Sequence, residues 1–218
     1  MENRTAAASY HTRHILVHEA NAIAETAVYL LQGEPVVFPT DTVYGVGVDA
    51  FNAAAILKLF DGKQRPLDKG IPILLADLSD IEKVAATIPA AAQTAIEAFW
   101  PGPLTIIVPK HPSLPDCISP NEGIALRIPD NDAARALIRA AGGALATSSA
   151  NLSGQPPACD GLTALTALQG SVAAVLDDGP TPGNTPSTII TFLTPQPTIV
   201  REGPITKTQL SQLGVFPL

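Results

Sequence analysis

Three cations, Lys63, Arg65 and Lys69, fall within seven residues of one another. Pro66 disfavours helix at the residue before it, so the segment is expected as an extended loop following a helix that ends near Gly62. An extended chain places Lys63 and Arg65 on one side, about 7 Å apart. That separation suits two neighbouring phosphates, or a carboxylate and a phosphate, with arginine as a two-pronged fork and lysine as a mobile point charge. A solvated basic turn is the competing reading, since charge runs usually face water. A second cluster, Thr147-Ser148-Ser149-Ala150-Asn151, sets small hydroxyl and amide groups at the end of an apolar strand. Open α/β sheets bind ligands at the carboxyl ends of strands, where hydroxyls and backbone N–H groups hold anionic oxygens. An ordinary Ser/Thr turn or helix cap competes there. A third, Pro39-Thr40-Asp41-Thr42-Val43-Tyr44-Gly45, could present two hydroxyls from a turn, with Tyr44 as a platform or hydrogen-bond partner, or be a plain strand connection.

Other patterns do not carry chemistry. Gly45-x-Gly47-x-x-Ala50 has the outline of a dinucleotide fingerprint, but Val43, Val46 and Val48 read as continuing strand, which puts both glycines inside it rather than at a helix start. His14 and His18 flank Ile15-Leu16-Val17, a strand-like run, and on a strand they would be about 13 Å apart, too far for one metal ion. The remaining histidines are His11 and His111, and no HExxH, GxSxG or Walker loop occurs.

The elements that must position these clusters alternate between short β-rich runs and Ala-rich helical stretches. Helices are expected at His18 to Gln32, closed by Gly33; from an Asn52 cap to Asp61; after a Ser79 cap; from Pro89 to Trp100; at Asn131 to Ala141, stopped by Gly142-Gly143; and at Thr206 to Leu213. Strands are expected at Pro35 to Phe38, Val43 to Val48, Gly70 to Ala76, Leu104 to Val108, Gly123 to Ile128, Ala144 to Thr147, Ala173 to Asp177, Ser187 to Phe192 and Thr198 to Arg201. Several neighbouring strands have only short connections, which predicts a mixed rather than strictly parallel α/β sheet.

With 218 residues, 46% of them apolar, the chain is sized for one α/β domain, expected over residues 15–218 behind a flexible arm over 1–14. Aromatic residues are 5%, so the core must be mostly aliphatic. Thirteen Lys and Arg against 20 Asp and Glu give a net charge of −7, the wrong sign for a broad duplex-gripping surface. Any anion site must therefore gather a few cations in one place. Cys117 and Cys159 form neither a disulfide framework nor a CxxC pair, and no apolar run reaches membrane length, so a cytoplasmic protein without membrane association is expected. No stretch before His14 has the character of a signal peptide.

Taken in order, Phe38-Pro-Thr-Asp-Thr-Val-Tyr-Gly45, Lys63-x-Arg65-Pro66, Trp100-Pro-Gly-Pro-Leu-Thr105, Leu126-Arg-Ile-Pro129, Ser149-Ala-Asn151, Ser187-Thr-Ile-Ile190 and Val200-Arg-Glu-Gly203 resemble the YrdC-like domain of the threonylcarbamoyl-AMP synthase family, in its short form without an extra C-terminal domain. The resemblance spans about residues 18 to 205. It implies a twisted mixed α/β sheet, flanked by helices, around a large, positively lined concave cavity. It implies a reaction joining L-threonine, bicarbonate and ATP, with Mg2+ accompanying the ATP, into threonylcarbamoyl-AMP and pyrophosphate. The product would feed a partner enzyme that modifies an adenosine of tRNA, with weak or no direct tRNA binding by this chain. The family pattern would place Thr42, Arg127, Thr147 (through its main chain) and Ser187 on threonine. It would place Lys63, Arg65, Lys69, Ser149, Asn151 and Arg201 on ATP, with Lys63 and Arg65 as the catalytic cations, and it names no protein metal ligand. The chain departs from that pattern at Lys69, at Pro157, and at Leu74 or Leu75, where some relatives place a polar side chain near threonine. An RNA-binding module without catalysis is the alternative, disfavoured by the net charge and the scarce aromatics. A carbamoyl-transfer domain of a hydrogenase-maturation protein would be part of a longer, cysteine-rich chain.

Overall fold

The computed structural model describes residues 9–64, 66 and 68–216. In chain order the elements are β1 (Arg13–Leu16), α1 (Ala22–Leu31), β2 (Val36–Phe38), β3 (Gly45–Asp49), α2 (Ala53–Gly62), β4 (Ile73–Leu75), α3 (Ile81–Val84), α4 (Ala90–Phe99) and β5 (Leu104–Pro109). They continue with β6 (Gly123–Arg127), α5 (Asp132–Ala140), β7 (Ala144–Ser149), α6 (Gly161–Leu168), β8 (Ala174–Asp177), β9 (Thr188–Thr191), β10 (Thr198–Arg201) and α7 (Lys207–Gln212). Among the described residues ten strands form one sheet in the order β1-β8-β2-β3-β7-β4-β6-β5-β9-β10. Its pairings are mixed: β2–β3, β3–β7, β7–β4 and β6–β5 are antiparallel, whereas β1–β8, β8–β2, β4–β6 and β5–β9 are parallel.

Side chains alternate across a pleated strand, and this alternation sorts the core into two clusters. Val37, Ile73, Leu75, Ile106 and Val175 point to the face covered by α2, α4 and α6. Val36, Phe38, Leu74, Leu145 and Leu176 point to the other face, covered by α1 and α5. Register then identifies the neighbours of Leu74 on that second face. It pairs with Leu145 on β7 and with Arg127 on β6. Ala125, two residues before Arg127, faces Ile107, two residues after Thr105, and Thr105 faces Ile189 on β9. Leu74, Arg127, Thr105 and Ile189 therefore form one row across the sheet, and Thr147, two residues beyond Leu145 on β7, lies on the same face. A hollow on this face follows from the topology.

The expected caps of two helices are in place: Asn52 accepts from the Ala55 N–H at 3.1 Å and Asn131 from the Ala134 N–H at 2.8 Å. Four expectations need correction. The first helix begins at Ala22, not His18, because Val17 still bonds to Asp177 and the Glu19 side chain accepts the Leu16 N–H at 3.0 Å to make a turn. His18 accordingly lies off the strand that carries His14. The short helical turn after β4 is capped by Asp77, not Ser79, with Asp80 completing the capping box. Residues 10–14, assigned to a flexible arm, are tied down: Tyr10 N–H donates to Gly170, the Thr12 hydroxyl to Val172 O at 2.8 Å, and β1 pairs with β8. Lys63 is not extended but closes α2, and Gln64 has φ +53°. The sequence reading also passed over α6, whose signal is Asp160 three residues before Thr163: its carboxylate accepts both the N–H and the hydroxyl of Thr163.

Gly161, the first residue of α6, yields a prediction. A Cβ there would sit 2.1 Å from Cγ of Asp177. That carboxylate cannot swing away, since His14 Nε2 lies 2.8 Å from one oxygen and the Gly179 N–H donates to the other at 2.8 Å. Alanine gains about 1 kcal/mol of helix propensity over glycine, but overpacking costs about 1–3 kcal/mol. Gly161→Ala is therefore expected to lower the urea midpoint with an unchanged m-value. A midpoint at or above that of the parent would contradict the packing described.

Candidate functional site

The row of side chains lines a cavity of about 190 Å³, enclosed by Thr42, Leu74, Arg127, Thr147, Ser187 and Arg201 among others. A second cavity of about 380 Å³ adjoins it over β5, β6 and β9. Pro72, Ile189 and Arg201 belong to both linings, so Arg201 stands at the junction.

Arg127 is the buried charge of the first cavity, its side chain 7% exposed. Its Nε donates to Gly102 O at 2.9 Å, one Nη to the Thr42 hydroxyl at 2.9 Å and the other Nη to the Asp41 carboxylate. The Trp100-Pro-Gly-Pro turn supplies the first of these acceptors, and it needs glycine there, since a Cβ on Gly102 would lie 2.5 Å from Phe99 O. Asp41 in turn accepts the Asp130 N–H at 3.1 Å, and its own carbonyl accepts the Gly183 N–H at 3.1 Å. Burial pushes the Arg127 guanidinium below its ordinary value, opposed by the adjacent Asp41 carboxylate. Arg201 is also lowered, by burial first and then by the like charge of Arg127. Guanidinium stays protonated at neutral pH despite such shifts, so two cations share one field.

Hydroxyls complete the wall. Ser187 Oγ lies 2.7 Å from Thr105 Oγ1, and the Ser187 carbonyl accepts from Arg201 Nε at 3.0 Å and Nη2 at 2.8 Å. The Thr147 N–H is taken by Pro72 O and its hydroxyl by Leu145 O at 3.0 Å. Gly45 and Gly47 lie within β3, as the sequence indicates; a Cβ on either would fall within 3 Å of the Thr147 side chain. They make room for that side chain and hold no dinucleotide.

Of the residues singled out in the sequence, Thr42, Arg127, Thr147, Ser149, Ser187 and Arg201 come together around the first cavity. Lys63 and Asn151 lie behind Ser149. The buried Lys63 ammonium donates to the carbonyls of Ser149 and Asn151, the latter at 2.6 Å. The Asn151 amide donates to Leu152 O at 2.8 Å and Gln155 O at 2.7 Å, while its buried Oδ1 has no hydrogen-bond partner among the described residues. Lys69 is exposed and outside both linings. Arg65 lies outside the described residues. Tyr44 is no stacking platform: fully buried, it gives its hydroxyl to Gly179 O at 2.7 Å beside Asp177, with the phenol pKa raised by burial. Of the two leucines at the departure from the family pattern, Leu74 faces the cavity and Leu75 the opposite core. Asp41 and Thr105 went unassigned. Thr105 had a signal: it is the one hydroxyl in the apolar run Leu104-Thr-Ile-Ile-Val108. Among the described residues no group of three or more His, Cys, Asp or Glu is arranged to hold a metal ion.

Comparison with known proteins agrees with this geometry. The family model Sua5/YciO/YrdC, described as telomere recombination, matches residues 28–203. The threonylcarbamoyl-AMP synthase of Bacillus subtilis (strain 168) is 39% identical over 193 residues, covering 86% of this chain and 55% of that protein. The crystal structure of Pyrococcus abyssi Sua5 complexed with L-threonine superposes with a TM-score of 0.88 at 29% identity, over 93% of this chain and 60% of that one. Escherichia coli YciO, at 22% identity, shares the fold with a TM-score of 0.81, over 92% of this chain and 99% of its own. The chain thus spans little more than half the length of the Bacillus and Pyrococcus proteins.

Proposed function

The chain belongs to the Sua5/YciO/YrdC family, and from that premise we propose that it is a threonylcarbamoyl-AMP synthase. The observation that carries the proposal is the buried Arg127 set beside Thr42 in a small hydroxyl-rich cavity, with a second, larger cavity across Arg201. The first cavity takes L-threonine, its carboxylate on the Arg127 fork. The second takes the nucleoside end of ATP, so that Arg201 lies where the two anions meet. The cation-rich segment around Arg65 and Lys69 serves the phosphates.

In the reaction the threonine amino group combines with bicarbonate, losing water to give a carbamate, whose oxygen attacks the α-phosphorus as pyrophosphate leaves. Both reactants are anions, and opposing charges in a site of low dielectric do most of what is required. No protein nucleophile is needed. Lys63 acts one step removed, by shaping the Ser149–Asn151 segment. Magnesium arriving with ATP would rest on phosphate oxygens and water; Asp41, the carboxylate beside the cavity, is committed to Arg127 and Asp130. The product, a mixed anhydride, passes to a separate enzyme acting on tRNA. No described helix is long and apolar enough to cross a membrane.

Pyrophosphate release from ATP is expected only when threonine, bicarbonate and magnesium are all supplied. Folded protein that releases none, yet binds tRNA tightly with a steep salt dependence, would favour the RNA-binding module instead.

A further inference from the structure

Thr105 and Ser187 are 3% and 4% exposed, sit on the cavity wall, and share one hydrogen bond of 2.7 Å. Each hydroxyl has one proton to donate and two lone pairs. Arg201 Nη2 fills one lone pair of Ser187 Oγ at 3.2 Å. Among the described residues neither hydroxyl has any other acceptor. Two protons and one internal bond leave one proton over, whichever way the bond runs. If Thr105 donates, Ser187 keeps a spare donor and Thr105 two spare lone pairs. If Ser187 donates, Thr105 keeps the spare donor, with lone pairs remaining on both oxygens. In either arrangement the pair offers one donor and at least one acceptor, the complement of an alcohol. A carboxylate could use only the donor.

We propose that Thr105, through this pair, is the residue that makes the cavity selective for an amino acid bearing a β-hydroxyl. The inference rests on the reading of the first cavity as the threonine subsite. A site built to hydrogen-bond a substrate hydroxyl strongly rejects the analogue lacking it, because its own polar groups are left unpaired. A methyl group, by contrast, is worth only a modest discrimination.

The test is calorimetric binding of L-threonine, L-valine and L-serine to the full chain, which needs no turnover. Valine replaces the hydroxyl with a methyl of the same shape; serine keeps the hydroxyl and loses the methyl. The parent protein is expected to prefer threonine over valine by about 100-fold or more. Thr105→Val is expected to cut that preference by about tenfold, while the threonine-to-serine ratio stays within about twofold. Thr105→Ser retains the hydroxyl and is expected to hold the threonine-to-valine ratio within about twofold of the parent. A parent with no preference over valine, an unchanged ratio in Thr105→Val, an equal fall in both ratios, or loss of the ratio in Thr105→Ser would each overturn the assignment. A parent that shows the binding pattern but releases no pyrophosphate would uphold this inference and remove the proposed reaction.

Discussion

Arg127→Lys is expected to lower kcat/KM for threonine by about 10- to 150-fold, the equivalent of one charge-assisted hydrogen bond of about 1.5–3 kcal/mol. Lysine keeps the charge but not the fork. Arg127 spends three of its nitrogens on three separate acceptors, Gly102 O, Thr42 Oγ1 and the Asp41 carboxylate, and these fix the plane of the guanidinium. An ammonium has no plane to fix and would settle against Asp41, turning the cation away from the cavity. The lysine variant is more informative than alanine, because alanine would leave Asp41 buried without its partner, at a cost of about 3–5 kcal/mol in stability. Thermal melting separates the two effects: the lysine variant should melt within a few degrees of the parent while losing threonine-dependent turnover. Parental kcat/KM in that variant would remove Arg127 from the carboxylate site.

The side chains that frame the cavity explain what a one-dimensional reading finds. Thr147 stands at a strand end after apolar residues, and a polar group there is conspicuous because it has no local reason to be buried. Arg127 and Ser187 are placed by family motifs alone; Thr42 is one of the two hydroxyls that the turn over 39–45 offers, and only the family pattern puts it on threonine. The signal of Thr105, one hydroxyl in an apolar run, does not by itself assign it. A single hydroxyl fits a β-strand by propensity, and its meaning depends on Ser187, far along the chain. Asp41 escaped for the same reason: its partners, Arg127, Asp130 and Gly183, are all remote. Local signals placed most helices, because caps such as Asn52 and Asn131 act within three residues. They failed at Lys63, where Pro66 argued for extension. The proline restricts only Arg65, and α2 runs on to Gly62 with its last turn closed by the backbone of Lys63 itself.

Lys63 supplies the second large effect, and it discriminates between two roles for one ammonium. As a phosphate ligand, its loss would weaken ATP binding in a chain of normal stability. In the structure the ammonium instead donates to the Ser149 and Asn151 carbonyls from a position 3% exposed. Lys63→Met keeps the aliphatic stem and deletes those donors, leaving the buried Asn151 carbonyl without this partner while Ser149 O keeps the Asn151 N–H at 3.0 Å. An unsatisfied buried group costs about 1–3 kcal/mol, and at about 2–4 °C per kcal/mol for a domain of this size the melting temperature is expected to fall by roughly 2–12 °C. Ser149 lines the cavity, so the same variant should also lose turnover, with KM rising for threonine as well as ATP. Lys63→Arg is not expected to restore either property, because a planar guanidinium cannot take the place of a compact ammonium between two carbonyls already in contact with it. A Lys63→Met variant that melts with the parent and loses only ATP affinity would move this residue from the scaffold of the site to the phosphates.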